Sequence, residues 1–180
     1  MTHVMIDLET MGTGNKAAIL SIGAAKFSLE DGITDTFHVG VELASNKLLG
    51  MEIDAGTVMW WLDPDREEAR KAYLALEKVD LIEALYGFTE WFRSNGDEIV
   101  AADIKGVWGN GATFDNVILR NAYAGANLEC PWPFWLDRCF RTMKAQWTGY
   151  LPQRKGTHHA ALDDAIWQAE ALRTIWQGGL

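Results

Sequence analysis

Residues 3–9 read His3-Val4-Met5-Ile6-Asp7-Leu8-Glu9, an apolar run that ends in two carboxylates one residue apart. A strand places residues i and i+2 on the same face, so Asp7 and Glu9 project together. Two like charges this close repel and raise each other's pKa unless a cation lies between them. Mg²⁺ and Mn²⁺ prefer such oxygen ligands. This strand therefore predicts a metal site if the chain supplies further ligands, the alternative being a solvated acidic strand end.

The composition is that of an ordinary globular chain. Its 180 residues, 48% of them hydrophobic, predict a single domain over residues 1–180. The formal net charge of −9 argues against a surface that coats polyanions, although cations bound to a carboxylate site would cancel part of it. Two cysteines fit a reducing cytosol. With no apolar run of transmembrane length, we expect a cytoplasmic protein that has no membrane partner.

The pattern along the chain predicts three strands followed mainly by helices. The strands are expected to form an antiparallel meander, after which residues 42–54 are irregular. The expected strands are 3–9, 17–29, 34–41, 105–108 and 136–137. The expected helices are 58–62 (capped by Thr57), 66–74, 81–92, 114–126, a helix that ends at 147, and 160–176. This order predicts an α/β fold with a mixed sheet flanked by helices, a layout that resembles the ribonuclease H-like fold.

Three acidic motifs occur in order along the chain. They read Asp7-Leu-Glu-Thr10, Asn110-Gly-Ala-Thr-Phe-Asp115 and His159-Ala-Ala-Leu-Asp-Asp164. Together they resemble the three exonuclease motifs of the DEDDh branch of the proofreading-type (DnaQ-like) 3′–5′ exonucleases. The match reaches from residue 5 to residue 165, and the chain is also similar to small phage-type members grouped as exonuclease VIII-like or ribonuclease-like.

The resemblance implies hydrolysis of phosphodiesters with two divalent cations, Mg²⁺ or Mn²⁺. Two cations about 3.5–4 Å apart can activate a water molecule and neutralise the leaving oxygen. The implied ligands are Asp7, which would bridge both ions, Glu9 and Asp164 on the nucleophile side, and Asp115 on the other ion. His159 would be the general base, because an imidazole titrates near neutral pH. The implied reaction releases nucleoside 5′-monophosphates from single-stranded DNA or RNA 3′ ends.

The residues expected to contact the substrate are less specific. The resemblance implies that the backbone of Thr10 and Met11, and the Met11 side chain, hold the terminal 3′ nucleotide. Asn110 would fix the active-site loop, or is simply a turn residue. Arg154 and Lys155 precede the third motif on an expected mobile loop, residues 151–158. They are candidates for phosphate contact, the alternative being solvated loop charges.

The chain contains nine tryptophans, and aromatic rings can stack on single-stranded bases. Trp60 and Trp61 point to different faces of their expected helix, so at most one of them faces the core. We expect the other to stack on substrate or to contact a second subunit, and we assign Trp61 as a substrate-contacting candidate. Helix surfaces rich in tryptophan suggest a homodimer.

The third motif contains an ambiguity of register, because His158 and His159 are adjacent, as are Asp163 and Asp164. The expected apolar stripe of the last helix leaves both aspartates off it, and comprises Leu162, Ile166 and Ala169. The family pattern His-x-Ala-Leu-x-Asp-Ala fits only when it is read from His159. We therefore expect His159 and Asp164 to be the working pair, with His158 and Asp163 as exposed neighbours.

Two other classes of protein are alternatives. The first is a catalytically silent nucleic-acid-binding module on the same fold, which the intact acidic set disfavours. The second is an acidic protein that mimics nucleic acid and inhibits a partner, which the clustering of the acids disfavours. The sequence leaves the sugar of the substrate open, because a contact to the 2′-hydroxyl distinguishes RNA from DNA.

Overall fold

The chain folds around a six-stranded mixed sheet. A computed structural model describes residues 1–95, 98–99 and 104–179. The strands are β1 (Thr2–Thr10), β2 (Ile19–Ser28), β3 (Gly32–Val41), β4 (Lys78–Val79), β5 (Ser94–Asn95), β6 (Glu98–Ile99), β7 (Ile104–Gly109) and β8 (Asp137–Cys139). The order in the main sheet is β4-β3-β2-β1-β7-β8, whereas β5 and β6 pair separately. The first three strands are antiparallel, and the other neighbours in the main sheet are parallel.

Helices cover both faces of this sheet. The α-helices are α1 (Ala55–Leu62), α2 (Glu67–Ala75), α3 (Leu81–Arg93), α4 (Asp115–Gly125), α5 (Phe140–Gln146) and α6 (Ala161–Gln177), and 3₁₀ turns lie at Leu43–Leu49, Pro64–Arg66 and Phe134–Leu136. The predicted α/β fold with an antiparallel three-strand start is confirmed. Across the described residues, every helix is too short or too polar to cross a bilayer.

Strand β1 lies in the middle of the sheet and divides the core. Its residues Val4, Ile6 and Leu8 point to one face and pack in the larger cluster, together with residues of α3 and α4. Met5 points to the other face and packs in the cluster formed with α5 and α6. Because side chains alternate along a strand, Asp7 shares the face of Met5 and lies under α6. The alternation predicted from the sequence thus sets the acids on the α6 side.

The start of α6 lies directly against β2. Gly23 pairs with Asp7 across the sheet. A Cβ atom at Gly23 would lie 2.2–2.4 Å from the backbone of Ala161 and Leu162, so only glycine allows this approach. The absence of a side chain at Gly23 therefore lets the first turn of α6 reach the acids of β1.

Three local predictions are corrected by the structure. Residues 42–54 are not irregular throughout, because Leu43–Leu49 form a 3₁₀ helix that Gly50 ends in the left-handed region. Helix α1 begins at Ala55 and not at Val58. Its N-cap is Asp54, whose carboxylate accepts a hydrogen bond of 2.8 Å from the Thr57 backbone N–H.

The buried face of α6 also differs from the predicted stripe. Leu162 and Ile166 are only half-buried, whereas the buried face carries several alanines and two polar residues. Its buried residues are Ala161, Asp164, Ala165, Gln168, Ala169, Ala171, Leu172 and Ile175. The predicted stripe is right at Ala169 and wrong at Leu162 and Ile166. Here the close helix–sheet contact requires small residues, and the polar pair faces Asp7.

Candidate active site

Two acids of the site come from the end of β1 and a third comes from the first turn of α6. Asp7, Glu9 and Asp164 are all buried. Each offers one carboxylate oxygen, and these oxygens lie within 4.8 Å of one another. Strand β1 presents its two acids on the α6 side, and the close approach at Gly23 brings the third down to them. This spacing suits oxygen atoms that share cations.

The fourth acid, Asp115, is the first residue of α4 and is 2% exposed. Its Oδ1 accepts a hydrogen bond of 3.2 Å from the Leu8 backbone N–H. Its Oδ2 is buried and has no hydrogen-bond partner among the described residues. A helix-capping role would account for an exposed acid at this position, but it does not account for a buried oxygen without a partner. Such an oxygen is available to bind a cation.

The four acids are held in a strongly unfavourable electrostatic environment. Burial raises the pKa of Asp7 well above its ordinary value, and the charges of Asp115, Glu9 and Asp164 raise it further. Burial, followed by the neighbouring carboxylates, raises the pKa of Glu9 to about 8. Burial also raises the pKa of Asp115 to about 7, against backbone hydrogen bonds that lower it. Without cations, the site cannot carry all four charges near neutral pH.

The four acids line one cavity of about 510 Å³, which is large enough for a nucleotide-sized ligand. We call them the acidic floor: Asp7, Glu9, Asp115 and Asp164. Above them are aromatic and basic side chains that line the same cavity, which we call the cavity wall: Trp60, Arg141, Arg154, His158 and His159. The cavity therefore combines buried anions with cationic and aromatic groups.

His159 lies on the loop that leads into α6, next to the acidic floor. Its backbone N–H donates a hydrogen bond of 3.2 Å to Asp164 Oδ2, and its ring meets the Trp60 ring edge-on with 4.9 Å between centroids. Its φ of 63° lies in the left-handed region, where a non-glycine residue is strained. Burial lowers the pKa of His159, and His158 lowers it further, against an opposing effect of Asp164. The imidazole is therefore neutral at neutral pH and able to accept a proton.

The register of the third motif is visible in the hydrogen bonds. Asp164 joins the acidic floor, whereas Asp163 Oδ2 accepts a hydrogen bond of 2.7 Å from the Thr157 backbone N–H. His158 is exposed, as expected, but it too lines the cavity. Asp163 is half-buried instead of exposed, because it holds the loop that carries the histidines.

A comparison with known families identifies the arrangement. The profile of the 3′–5′ exoribonuclease Rv2179c-like domain family matches residues 2–176. This chain belongs to that family. It is a 3′–5′ exonuclease, the class of enzyme that the sequence predicts.

Individual relatives agree with this assignment. The chain is 25% identical over 163 residues to the exodeoxyribonuclease of Enterobacteria phage T4, over 79% of this chain and 70% of the phage protein. Its fold is similar to the nuclease domain of 3′hExo, a DEDDh family member solved with rAMP bound, with a TM-score of 0.62 and 14% identity over 99% of this chain and 92% of that domain. It is also similar to E. coli exonuclease I solved with a dT13 oligonucleotide, with a TM-score of 0.56 and 16% identity over 98% of this chain. The chain spans 40% of the exonuclease I chain.

Two of the predicted substrate contacts of this exonuclease lie away from the cavity. The Met11 side chain packs against an apolar pocket with Leu20 and Trp61, outside the residues that line the acidic cavity. Lys155 is exposed and is also outside the described residues that line this cavity. Met11 is drawn to the core because it follows the strand directly, and Lys155 points to solvent from the loop.

The other predicted contacts do line the cavity. Thr10 lies at its edge and its hydroxyl donates to the Gly12 carbonyl at 2.8 Å. The Asn110 backbone carbonyl accepts a hydrogen bond of 2.8 Å from Arg141 Nη2. Arg154 pairs with the Asp164 carboxylate, and its guanidinium lies 4.4 Å from the centre of the Trp167 ring. Arg154 therefore faces the acidic floor and not the solvent.

One tryptophan of the pair is buried and the other is partly exposed, as expected, and both line the cavity. Trp61 reaches the cavity but is only 4% exposed, and its indole N–H donates to the Thr10 carbonyl at 2.9 Å. A ring buried in this way supports Thr10 and has no free face for stacking. Trp60 is 36% exposed, between His159 and the Arg66 guanidinium, which lies 4.6 Å from its ring centre. Trp60 is thus the more exposed tryptophan of the cavity, which Phe114 also lines.

Sequence reasoning missed two polar residues of the site. The Gln168 amide donates a hydrogen bond of 2.6 Å to Asp7 Oδ1, and Gln168 is 1% exposed. Its position four residues after Asp164 on one helix was a usable signal, because residues i and i+4 share a face. Arg141 partly opposes the burial that raises the pKa of Asp115 and holds the Asn110 loop, but nothing in the sequence around it indicates this role.

Proposed function

We propose that this exonuclease uses two divalent cations, Mg²⁺ or Mn²⁺, to remove nucleoside 5′-monophosphates from the 3′ end of single-stranded nucleic acid. The observation that carries the proposal is the acidic floor, which gathers four buried carboxylates and leaves one buried oxygen without a partner among the described residues. A neutral imidazole lies beside it. This combination supports hydrolysis of a phosphodiester more directly than it supports a silent binding module.

The donor set fits two hard cations. Asp7, Glu9 and Asp164 would hold one ion, and Asp7 would share a second with Asp115. The raised pKa values of Asp7, Glu9 and Asp115 express a need for positive charge, which the bound ions would satisfy. When bound, such ions supply a nucleophile at neutral pH and stabilise charge on the leaving oxygen.

His159 is the residue that accepts the proton of the attacking water. Its imidazole is neutral because burial lowers its pKa, so the ring nitrogen has a free lone pair. The hydrogen bond from its backbone to Asp164 and the edge-on contact with Trp60 hold the ring against the acidic floor. Pre-orientation of this kind reduces the entropic cost of the proton transfer.

The cavity wall orients the substrate strand. Arg154 and Arg141 provide positive charge over the floor, where the phosphate enters, and the exposed part of the Trp60 ring offers an apolar surface to a base. The net charge of −9 over the whole chain makes tight non-specific coating of duplexes unfavourable. A short contact with one strand end is compatible with the positive charge of the cavity wall and with the negative charge of the whole chain.

Two similar structures support a substrate with a nucleic-acid 3′ end, single-stranded in one of them, and leave its sugar open. E. coli exonuclease I is solved with dT13, and another similar fold is a 3′-exonuclease in specific recognition of the histone mRNA stem-loop 3′ end, with a TM-score of 0.54. The matching family is described as exoribonucleases, whereas the phage relative is an exodeoxyribonuclease. We propose RNA and DNA 3′ ends as the substrate class. A homodimer, a cytoplasmic location and one domain over residues 1–180 stay predictions.

The test uses RNA and DNA oligonucleotides of one sequence, each labelled at its 5′ end. With Mg²⁺ or Mn²⁺ we expect a ladder that shortens from the 3′ end, 5′-monophosphate products, and no reaction with chelator. A silent module would shift the oligonucleotide in a gel without shortening it, and an acidic mimic would do neither. Immediate release of the labelled 5′ nucleotide, or shortening that persists in chelator, would overturn the proposal.

A further inference from the structure

The two histidines before α6 form a cluster that the proposed reaction does not need. The ring centroids of His158 and His159 are 3.9 Å apart. His158, His159 and Asp164 each offer one ligand atom, and these atoms lie within 4.8 Å of one another. Only one of the two rings has a role in the proposed reaction.

The backbone at His159 explains why adjacent rings come together. Successive side chains in an extended segment point to opposite sides. The left-handed φ of 63° at His159 interrupts this alternation and turns both imidazoles towards Asp164. The Thr157–Asp163 hydrogen bond of 2.7 Å fixes the loop on the other side of the pair. The cluster is therefore held by the backbone and is not a chance contact of flexible side chains.

We infer that His158, His159 and Asp164 form a second cation site, which binds borderline transition-metal ions such as Zn²⁺, Ni²⁺ or Co²⁺. Two imidazoles and one carboxylate match the ligand preference of these ions, whereas Mg²⁺ prefers an all-oxygen set. Three protein ligands leave an open position for water, as in many zinc sites. The acidic floor and this second site share Asp164 but differ in donor chemistry.

An ion can reach the cluster from a second cavity. The two histidines line this cavity of about 340 Å³ together with Asp65, Arg66 and Glu68, so an ion can reach them without crossing the acidic floor, and the two acids offset the charge of Arg66. Asp164 pairs with Arg154 in the structure, which shows that its carboxylate accepts a positive partner. An incoming dication would replace that guanidinium, and Arg154 can retain its contact with the Trp167 ring.

Occupancy of this site would block the exonuclease reaction. An imidazole that coordinates an ion through its lone pair cannot accept a proton, so His159 would be lost as the base. Asp164 would also be drawn away from the ions of the acidic floor. This consequence rests on the proposed function, whereas the binding of the ion does not.

The binding test compares the wild-type exonuclease with His158→Ala in saturating Mg²⁺. Zn²⁺ affinity is measured by calorimetry, and the Co²⁺ complex by its visible absorption. We expect His158→Ala to weaken Zn²⁺ binding at least about tenfold, because even residues that only support a ligand change metal affinity by about 10–100-fold. The matched control is His38→Ala, another exposed histidine outside the cluster, which should bind Zn²⁺ like the wild type.

The inhibition test measures RNA shortening at increasing Zn²⁺, relative to each variant's own zinc-free rate. His158→Ala should need at least about tenfold more Zn²⁺ for half-inhibition. Equal Zn²⁺ affinity of the wild type and a folded His158→Ala or His158→Gln variant would overturn the inference and leave the proposed function standing. If His158→Ala loses Zn²⁺ binding but the wild type never shortens RNA, the inference stands and the proposed function is overturned.

Discussion

The acidic floor comes from regular elements, whereas the cavity wall comes mainly from α1, α5 and the loop that precedes α6. Every residue of the floor is at most 8% exposed, and its acids are fixed by β1, by the start of α4 and by the first turn of α6. The loop before α6 contains a strained residue, His159, and a half-buried cation, Arg154, that pairs with the floor. The chain thus holds its cation ligands on regular elements and places three of the five wall residues on a loop, where side chains can adapt to a substrate.

The floor is where a single change should have the largest effect. Asp7→Asn removes the carboxylate that faces all three other acids, and we expect the rate of 3′ shortening to fall at least about 10⁴-fold. Loss of metal-ion charge stabilisation is worth several kcal/mol, and each 1.36 kcal/mol is about tenfold. Most of the Mg²⁺-induced rise in melting temperature should also disappear, because ions stabilise only the folded state.

The control for this variant is Asp163→Asn, which is adjacent to Asp164 but binds the loop instead of the floor. It should retain both the activity and the Mg²⁺ response to within a few-fold, since an amide oxygen can still accept the Thr157 N–H. A full Mg²⁺ response in Asp7→Asn would show that Asp7 is not a bridging ligand.

The second-largest effect on the rate is expected from the cavity wall, where His159 is the one proposed catalytic group. His159→Ala is expected to lose about 10²–10⁴ in rate, the usual contribution of a general base, while Mg²⁺ still raises the melting temperature. In the wild type the rate should rise with pH and then level off. The midpoint of this rise should lie below the ordinary pKa of an imidazole, because burial lowers the pKa of His159. Activity of His159→Ala within a few-fold of the wild type would remove this residue from the mechanism.

The difference between the acidic floor and the residues around it also explains which parts of the site could be predicted from the sequence. The alternation along β1 was enough to place Asp7 and Glu9 together, because a strand has only one such geometry. Asp115 and Asp164 needed the family resemblance, since the contact between residues more than 100 positions apart leaves no local pattern. The contacts around the floor were harder to predict, because Met11 and Lys155 are not among the described residues that line the cavity and Trp60 is more exposed than Trp61. Periodicity shows which face of a strand or helix a residue occupies, but not which residues of separate segments meet at a cavity.

A smaller effect is expected from the residue that supports the floor from behind. Gln168→Met keeps the volume of the side chain but removes the amide that donates to Asp7 Oδ1. We expect the affinity for Mg²⁺ to fall by about 10–100-fold, because partners of this kind orient the ligand. The rate at saturating Mg²⁺ should change less than the affinity.

The measurement for Gln168→Met is the Mg²⁺ dependence of shortening, together with calorimetric binding. Gln177→Met is the matched control, because Gln177 lies at the exposed end of the same helix. A loss of stability without a change in Mg²⁺ affinity would show that Gln168 acts only in packing.

The smallest effect is the pH dependence of the free energy of unfolding of the metal-free chain. It is also the most direct measure of the unfavourable electrostatics of the acidic floor. The pKa values of Glu9 and Asp115 are raised to about 8 and about 7, and that of Asp7 is raised as well. The folded chain therefore binds more protons than the unfolded chain once pH exceeds the ordinary carboxyl range, so the free energy of unfolding falls as pH rises. The stability is fully present below about pH 4, where both states are protonated, and is lost as pH passes through the raised values.

Urea unfolding in chelator between about pH 7 and pH 9 measures this loss where the imidazoles contribute little. Each carboxyl group lowers the free energy of unfolding by at most about 1.4 kcal/mol for every pH step of one, so a decrease of a few kcal/mol is expected. Saturating Mg²⁺ should flatten the curve, because bound cations compensate the carboxylates. The difference between the two series also cancels titration of the cysteines, which lie outside the floor. If the metal-free stability instead rises with pH over this range, the carboxylates are already compensated in the folded chain, and the acidic floor has no need of cations.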